Sequence, residues 1–408
     1  MNRKKDSDVP QVFLRIKDLR MSRRTLLRGM AIGGAGLATS GFLACGDDDD
    51  DTASPTTTAG GDTTTTTSGT ATTVAGELES VTYVYGFPAP HAGLLYPYYN
   101  AVEQGFYEEE GLEVEFNYQT AGMALVAGGT VEFGELSCDE LLNANAAGQK
   151  AKAFFQVVYG QAFGFVVPED SPITAWTPDQ VRGTTIGITE LAGGEVPIVR
   201  AALAHDGLSE GEDVTFFPTS GDNQAVTVDA FNTGKIDIFA GSILDHAAIE
   251  VAGLLLRPIT PDFILEASGD NAMGGRSDYI DEHRDQVTRY GRAVAKAKAW
   301  AWAPANLDKA LDNALEMAPD TGTREEVASF VKLLQLDRGE PSPAADITTG
   351  EIWVEGWDSY QRLLLAGSTG SPDDPLTFTE PIDIAEIADN TMVADMLDFD
   401  VEEIIARP

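Results

Sequence analysis

The sequence predicts an α/β fold of two lobes joined by a hinge, with further helices at the C-terminal end. Three observations carry this. A strand-then-helix rhythm begins near residue 81, the mark of an α/β chain. The turn cluster PEDSPITAWTPDQ, residues 168–180, breaks the rhythm, which then restarts. The part that reads as ordered, from about residue 78, has some 330 residues, more than one typical core holds and enough for two.

Each element has its own signal. VTYVYG, 81–86, reads as a buried strand, and AGLLYPYYNAVEQGFYEEEG, 92–111, as a helix ending near Gly105 or Gly111. LEVEFNY, 112–118, alternates as a strand does. MALVAGG is a short helix, VEFGELS a strand, DELLNANAAGQ a helix, and AKAFFQVV, 151–158, a strand. AFGFVVP, 162–168, is the next strand. After the turn cluster come TTIGIT (strand), EVPIVRAALAHDG (helix), VTFFP (strand), NQAVTVDAFNTG (helix), KIDIFAG (strand) and ILDHAAIEVAG (helix). Beyond about 265 the chain reads as helical, with Pro304 and Pro319 as breaks. The expected organisation is 78–162 as the first part of lobe one, 163–265 as lobe two, and 266–408 as a return to lobe one with the C-terminal helices.

The front of the chain has a different character. SRRTLLR, 22–28, precedes MAIGGAGLATSGFLA, 30–44, an uncharged run of small and apolar residues. That run is short of the roughly 20 residues a bilayer span needs. A basic patch, a short apolar run and small residues before a cut site make a secretory signal, and paired Arg23 and Arg24 suggest the route for folded proteins. Residues 1–44 resemble a twin-arginine lipoprotein signal. That resemblance makes Cys45 the lipidated first residue of the mature protein, anchored to the outer face of the cytoplasmic membrane. Met21 offers a second possible start. Residues 45–77 are rich in Asp and Thr, with almost no large apolar side chain. They cannot bury enough surface to offset the entropy of ordering, and read as a flexible tether.

The chain carries a net charge of −38, and residues 45–408 hold 18 basic and 62 acidic residues. Such a charge repels phosphate backbones and argues against a nucleic-acid partner. Cys45 and Cys138 are the only cysteines. With Cys45 acylated no disulfide forms within a monomer, and Cys138 reads as a small buried apolar residue. The four histidines, 91, 205, 246 and 283, lack metal-ligand spacing. HExxH, G-x-S-x-G and P-loop motifs are missing, which argues against an enzyme, and no cofactor is expected.

QGFYEEEGLEVEF, 104–116, resembles the GFF-x-x-x-GL-x-V signature of the solute-binding proteins that serve nitrate, sulfonate, taurine and thiamine-precursor ABC importers. Residues 127–154, the stretch EDSPITAWTPDQVRGTTIGI at 169–188, and AFNTGKIDIFAG at 230–241 are similar to later segments of that family, in the same order. The resemblance implies a type II periplasmic binding protein fold, closure of two lobes on a small solute, an ABC permease and ATPase as partners, and no covalent chemistry.

Ligands of open α/β sheets bind beyond the carboxyl ends of strands, which selects the loops. In GFPAPHAG, 86–93, His91 and Phe87 suit a flat polar ring. This loop is similar to one in pyrimidine-precursor and related heterocycle binders. Gln119 and Thr120 follow the second strand, and Ser137 follows the third as the best donor. Tyr159, with Phe163, flanks the crossover and either walls the cleft or packs in the core. In lobe two, Thr189, Gly193 and Gly194 precede a helix, and bare N–H groups there would seat an anion or a carbonyl, with Glu190 and Glu195 weighing against a full anion. Ser242 and Asp245 follow the last strand of that lobe. The acidic balance favours amine-bearing or neutral rings. Taurine, sulfonate or nitrate, and a lipid-anchored sensor uncoupled from transport, stay open as alternatives.

Overall fold

The runs of aromatic and β-branched residues resolve into two five-stranded sheets. The computed structural model describes residues 78–86, 90–119, 122–191, 193–219, 224–267, 269–338, 347–369 and 376–408. The signal expected at 1–44, the tether expected at 45–77 with Cys45, and the candidate site residues Phe87 and Thr120 lie outside the described residues. In chain order the strands are β1 (Glu79–Tyr85), β2 (Leu112–Tyr118), β3 (Phe133–Leu136), β4 (Ala151–Gln156), β5 (Phe163–Pro168), β6 (Thr185–Ile188), β7 (Thr215–Pro218), β8 (Ile238–Ser242), β9 (Leu256–Pro258) and β10 (Ala272–Arg276).

One sheet has the order β2-β1-β3-β10-β4, the other β7-β6-β8-β5-β9. Within each sheet the first three strands are parallel, as right-handed βαβ crossovers require: β1 pairs with β2 and β3, and β6 with β7 and β8. β10 and β5 run antiparallel to their neighbours. Each enters its sheet after crossing from the other one. β1 is buried on both faces, with Val81, Tyr83 and Val84 fully covered, which is why its sequence is a near-continuous apolar run.

Two strands depart from the sequence reading. LRP forms β9 in a stretch given no element, and AMGGR forms β10 where the chain reads as helical. Two glycines in five residues give β10 no propensity signal; it is a strand because β3 and β4 flank it on both sides. The helix expected over 92–111 splits into Ala92–Glu103 and Phe106–Glu109. Gly105 between them has φ of 71°, a left-handed turn that favours glycine.

The sheets are joined by two crossovers, residues 157–162 and 259–271. Gln161 ties one to the other: its Nε2 donates to the carbonyls of Ile264 at 3.2 Å and Ala267 at 2.8 Å. The C-terminal helix Val354–Gly367 makes a third link. It is tied to the first sheet by Trp353, whose N–H donates to Gln156 Oε1 at 2.9 Å, and it packs on the helix Glu195–His205 of the second. The two helices approach so closely that a Cβ at Gly367 would lie 1.9 Å from the Pro197 carbonyl oxygen. Among the described residues no helix is long and apolar enough to cross a membrane.

Candidate functional site

The topology links the two sheets through one set of strand ends. β1, β3 and β4 point the same way, and β4 leads from its carboxyl end directly into the first crossover. That crossover delivers β5, whose first residue, Phe163, pairs with Ser242 at the carboxyl end of β8. The second crossover returns to the start of β10, beside the carboxyl end of β3. Both hinge segments therefore connect carboxyl edge to carboxyl edge, where the loops and helix N-termini lie.

On the first edge, His91 opens the helix Ala92–Glu103. Its Nδ1 accepts from the amides of Gly93 and Leu94, each at 3.2 Å, so the ring proton sits on Nε2. The ring leans on Phe330 with centroids 5.1 Å apart. Burial lowers its pKa to about 4, and the cap is neutral. Gln119 is exposed after β2, its amide donating to the Tyr85 carbonyl at 3.2 Å.

Ser137, expected as the best donor, is engaged. Its hydroxyl accepts from the Glu140 amide at 3.3 Å and donates to Glu140 Oε2 at 3.2 Å, while its own amide donates to that oxygen at 2.9 Å. This is a capping box for the helix Cys138–Ala146. The second edge repeats it at the equivalent strand. The Ser242 amide and hydroxyl donate to Asp245 Oδ2 at 2.8 and 2.7 Å, and the Asp245 amide donates back to the hydroxyl at 3.3 Å. Gln224 adds a bond from Nε2 to Asp245 Oδ1 at 2.8 Å. Burial raises the pKa of both carboxyls, and the Ser donors pull each partly back.

In the Thr189 to Gly194 loop, some of the N–H groups the sequence offers as bare are bonded locally. Gly193 N–H donates to the Glu190 carbonyl at 3.0 Å and Val196 N–H to the Gly193 carbonyl at 3.1 Å. Pro197 has no N–H. The Glu195 side chain folds back over the loop, and its Oε1 accepts from both the amide and the hydroxyl of Thr189 at 2.6 Å. A Cβ on Gly193 would meet both Glu195 carboxylate oxygens at 2.5 Å, and one on Gly194 would meet the Phe163 ring at 2.7 Å. Glu195 is 2% exposed. Burial raises its pKa, the Thr189 donors oppose this, and Asp245 adds to the rise.

Tyr159 packs in the core and does not wall the cleft: it is 1% exposed. Its hydroxyl accepts from the Gly350 amide at 2.8 Å and donates to the Glu351 carbonyl at 2.9 Å. It holds the C-terminal segment against the crossover because its ring points into lobe one. Cys138 is buried, with its thiol pushed up by burial.

Glu135 escapes the sequence reading. It is 9% exposed at the end of β3 and accepts from the Tyr98 hydroxyl at 2.7 Å and Asn271 Nδ2 at 3.2 Å. The Tyr83 hydroxyl donates to Tyr98 at 3.0 Å, extending the network into the core. Asn271 lies on the second crossover, so the network reaches the hinge. The available signal was an acid sharing strand parity with Val131 and Phe133 in VEFGELS. Among the described residues no group of three or more His, Cys, Asp or Glu is placed to hold a metal ion.

Two five-stranded sheets of matching order, joined by paired crossovers at their carboxyl edges, define the type II periplasmic binding protein fold. The solved structure described as a sulfonate ABC transporter periplasmic sulfonate-binding protein SsuA, from Methylobacillus flagellatus, has the same fold. Its TM-score is 0.57 at 16% identity, over 81% of this chain and 96% of that one. The desulfurization enzyme DSZB shares it too, with a TM-score of 0.52 at 16% identity, over 78% of this chain and 99% of the other. A family model described as NMT1/THI5 like matches residues 94–308, and the chain belongs to that family. Riboflavin-binding protein RibY of Chloroflexus aurantiacus is 26% identical over 235 residues, 55% of this chain and 63% of that protein. The match thus spans less than two thirds of that relative.

Proposed function

We propose that this chain is the extracytoplasmic solute-binding component of an ABC importer, and that it captures a small solute between its two lobes without covalent chemistry. The observation that supports the reading is the joining of both sheets at their carboxyl edges by a two-segment hinge, with loops and helix N-termini gathered at those edges. Such a site binds by closing: a solute that touches both edges shifts the population toward the closed form. The closed form then docks on a permease driven by an ATPase. Residues 78–162 and 266–408 form lobe one and 163–265 lobe two, with the helix Val354–Gly367 bridging them. Lipid at Cys45 tethers a monomer to the outer face of the cytoplasmic membrane.

The solute class proposed is a pyrimidine, thiamine-precursor-like or related heterocycle. The likeness to a riboflavin-binding protein supports a flat ring, and the neutral, Phe330-backed His91 supports stacking. Phe87, Gln119 and Thr120 complete the first edge in this reading; Thr189, Gly193, Gly194, Ser242 and Asp245 form the second. The likeness to a sulfonate-binding structure keeps an anionic solute as the second reading. Calorimetric titration of the full chain with pyrimidines, riboflavin, taurine, alkanesulfonates and nitrate tests both. Micromolar or tighter binding of a heterocycle is expected. Tight binding of nitrate or a sulfonate alone selects the second reading, and no binding by any member removes the solute-binding one.

A further inference from the structure

Three helices that open on the carboxyl edges, Cys138–Ala146, Glu195–His205 and Ile243–Val251, each carry a carboxylate in the first turn that bonds back to the preceding loop. Glu195 is the most enclosed of the three. Its carboxylate fills the space beside Gly193 that any larger residue would need, so glycine at 193 and acid at 195 fit as a unit. The N–H groups of Gly193 and Val196 are bonded within the loop, and Pro197 has none. An anion arriving there lies in the field of a carboxylate held away from water, where screening is weak.

Building on the solute-binding reading above, we infer that Glu195 is a specificity-determining residue that turns away negatively charged solutes, so that the cleft takes an uncharged or cationic ring bearing hydrogen-bond donors. Asp245, within electrostatic reach of Glu195, and the Glu140 carboxylate on the first edge act in the same sense. Attraction of solute N–H or ammonium groups and repulsion of phosphate or sulfonate are two faces of one charge arrangement.

Matched pairs test this without changing the protein: riboflavin against riboflavin 5′-phosphate, and an aminopyrimidine against its phosphate ester, titrated into the full chain at fixed ionic strength. The uncharged member is expected to bind at least about 100-fold more tightly, which corresponds to about 2.8 kcal/mol at about 1.4 kcal/mol per tenfold. Glu195→Gln is expected to shrink that ratio below about tenfold, and Glu195→Asp to retain most of it. Equal or tighter binding of the charged members overturns the inference while leaving the binding reading intact. A ratio unchanged in Glu195→Gln removes Glu195 from the role. Should Glu195→Gln not fold, the wild-type ratio still decides for or against charge rejection. If no member of either pair binds, and none of the wider solute panel does, both readings fall together.

Discussion

Thr189 offers its amide and its hydroxyl to the same oxygen of Glu195, each at 2.6 Å. The carboxylate is thereby fixed over the loop that follows β6. Glu195→Ala leaves a half-buried amide and hydroxyl without their acceptor. It is expected to cost about 1–3 kcal/mol, and Thr189→Val less. Chemical denaturation of both single variants and the double variant measures the coupling, which should be at least about 0.5 kcal/mol for groups in direct contact. Additive losses would show that the two side chains do not support one another.

His91 joins stability to pH. Its imidazole, like that of His246, is lowered by burial from the ordinary 6.5 to about 4. Between those values the unfolded chain takes up protons that the folded chain refuses. Stability is therefore complete above pH 6.5 and falls as the pH drops toward 4, by up to on the order of 3 kcal/mol for each ring. His91→Asn keeps an N-cap while removing the titration, so its melting temperature should decline less over that window than the wild type's. His91→Ala loses the cap as well and should cost about 1 kcal/mol at neutral pH. A wild-type acid limb matched by His91→Asn would assign that limb to other groups.

Gly367 is held against the Pro197 carbonyl with no room for a Cβ. Both are backbone positions, so no flexible side chain can yield. Gly367→Ala should push the helix Val354–Gly367 off its partner and lower stability by about 1–3 kcal/mol, seen as a drop in melting temperature. A variant as stable as the parent would mean that this bridge between lobes is loosely held.

Much of this was legible in the sequence. The βα order, the break between lobes and the family signature all rest on short-range patterns, and those patterns mark β1 to β8. β9 and β10 were not legible because three- and five-residue strands rich in Pro and Gly owe their existence to neighbours far along the chain. The same limit governs the site. Ser137, Thr189, Ser242 and Asp245 could be placed on the right edges from their positions after strands. Whether each hydroxyl is free for a solute depends on Glu140, Glu195 and Asp245, whose direction no periodicity reveals. Tyr159 stayed open for the opposite reason: an aromatic at a crossover looks the same in sequence whether it faces a cleft or, as here, Gly350 and Glu351.

Gln161 ties the two hinge segments together, bridging its own crossover to Ile264 and Ala267. Gln161→Ala removes two bonds to buried carbonyls and should lower stability by about 1–3 kcal/mol. Its effect on closure should exceed its effect on contacts with solute, because its side chain is spent on bonds to the second crossover and to the Phe163 amide. Stopped-flow measurement of solute association is expected to show changed rates, with the ranking of solutes preserved. A reordered ranking would place Gln161 among the groups that meet the solute.

The central claim is that two carboxyl edges close over a dissolved solute. Small-angle X-ray scattering of the full chain, with and without the solute that binds it most tightly, measures this directly. The account predicts a smaller radius of gyration and a shorter maximum dimension at saturation. Superimposable profiles from a chain shown by calorimetry to be saturated would contradict it.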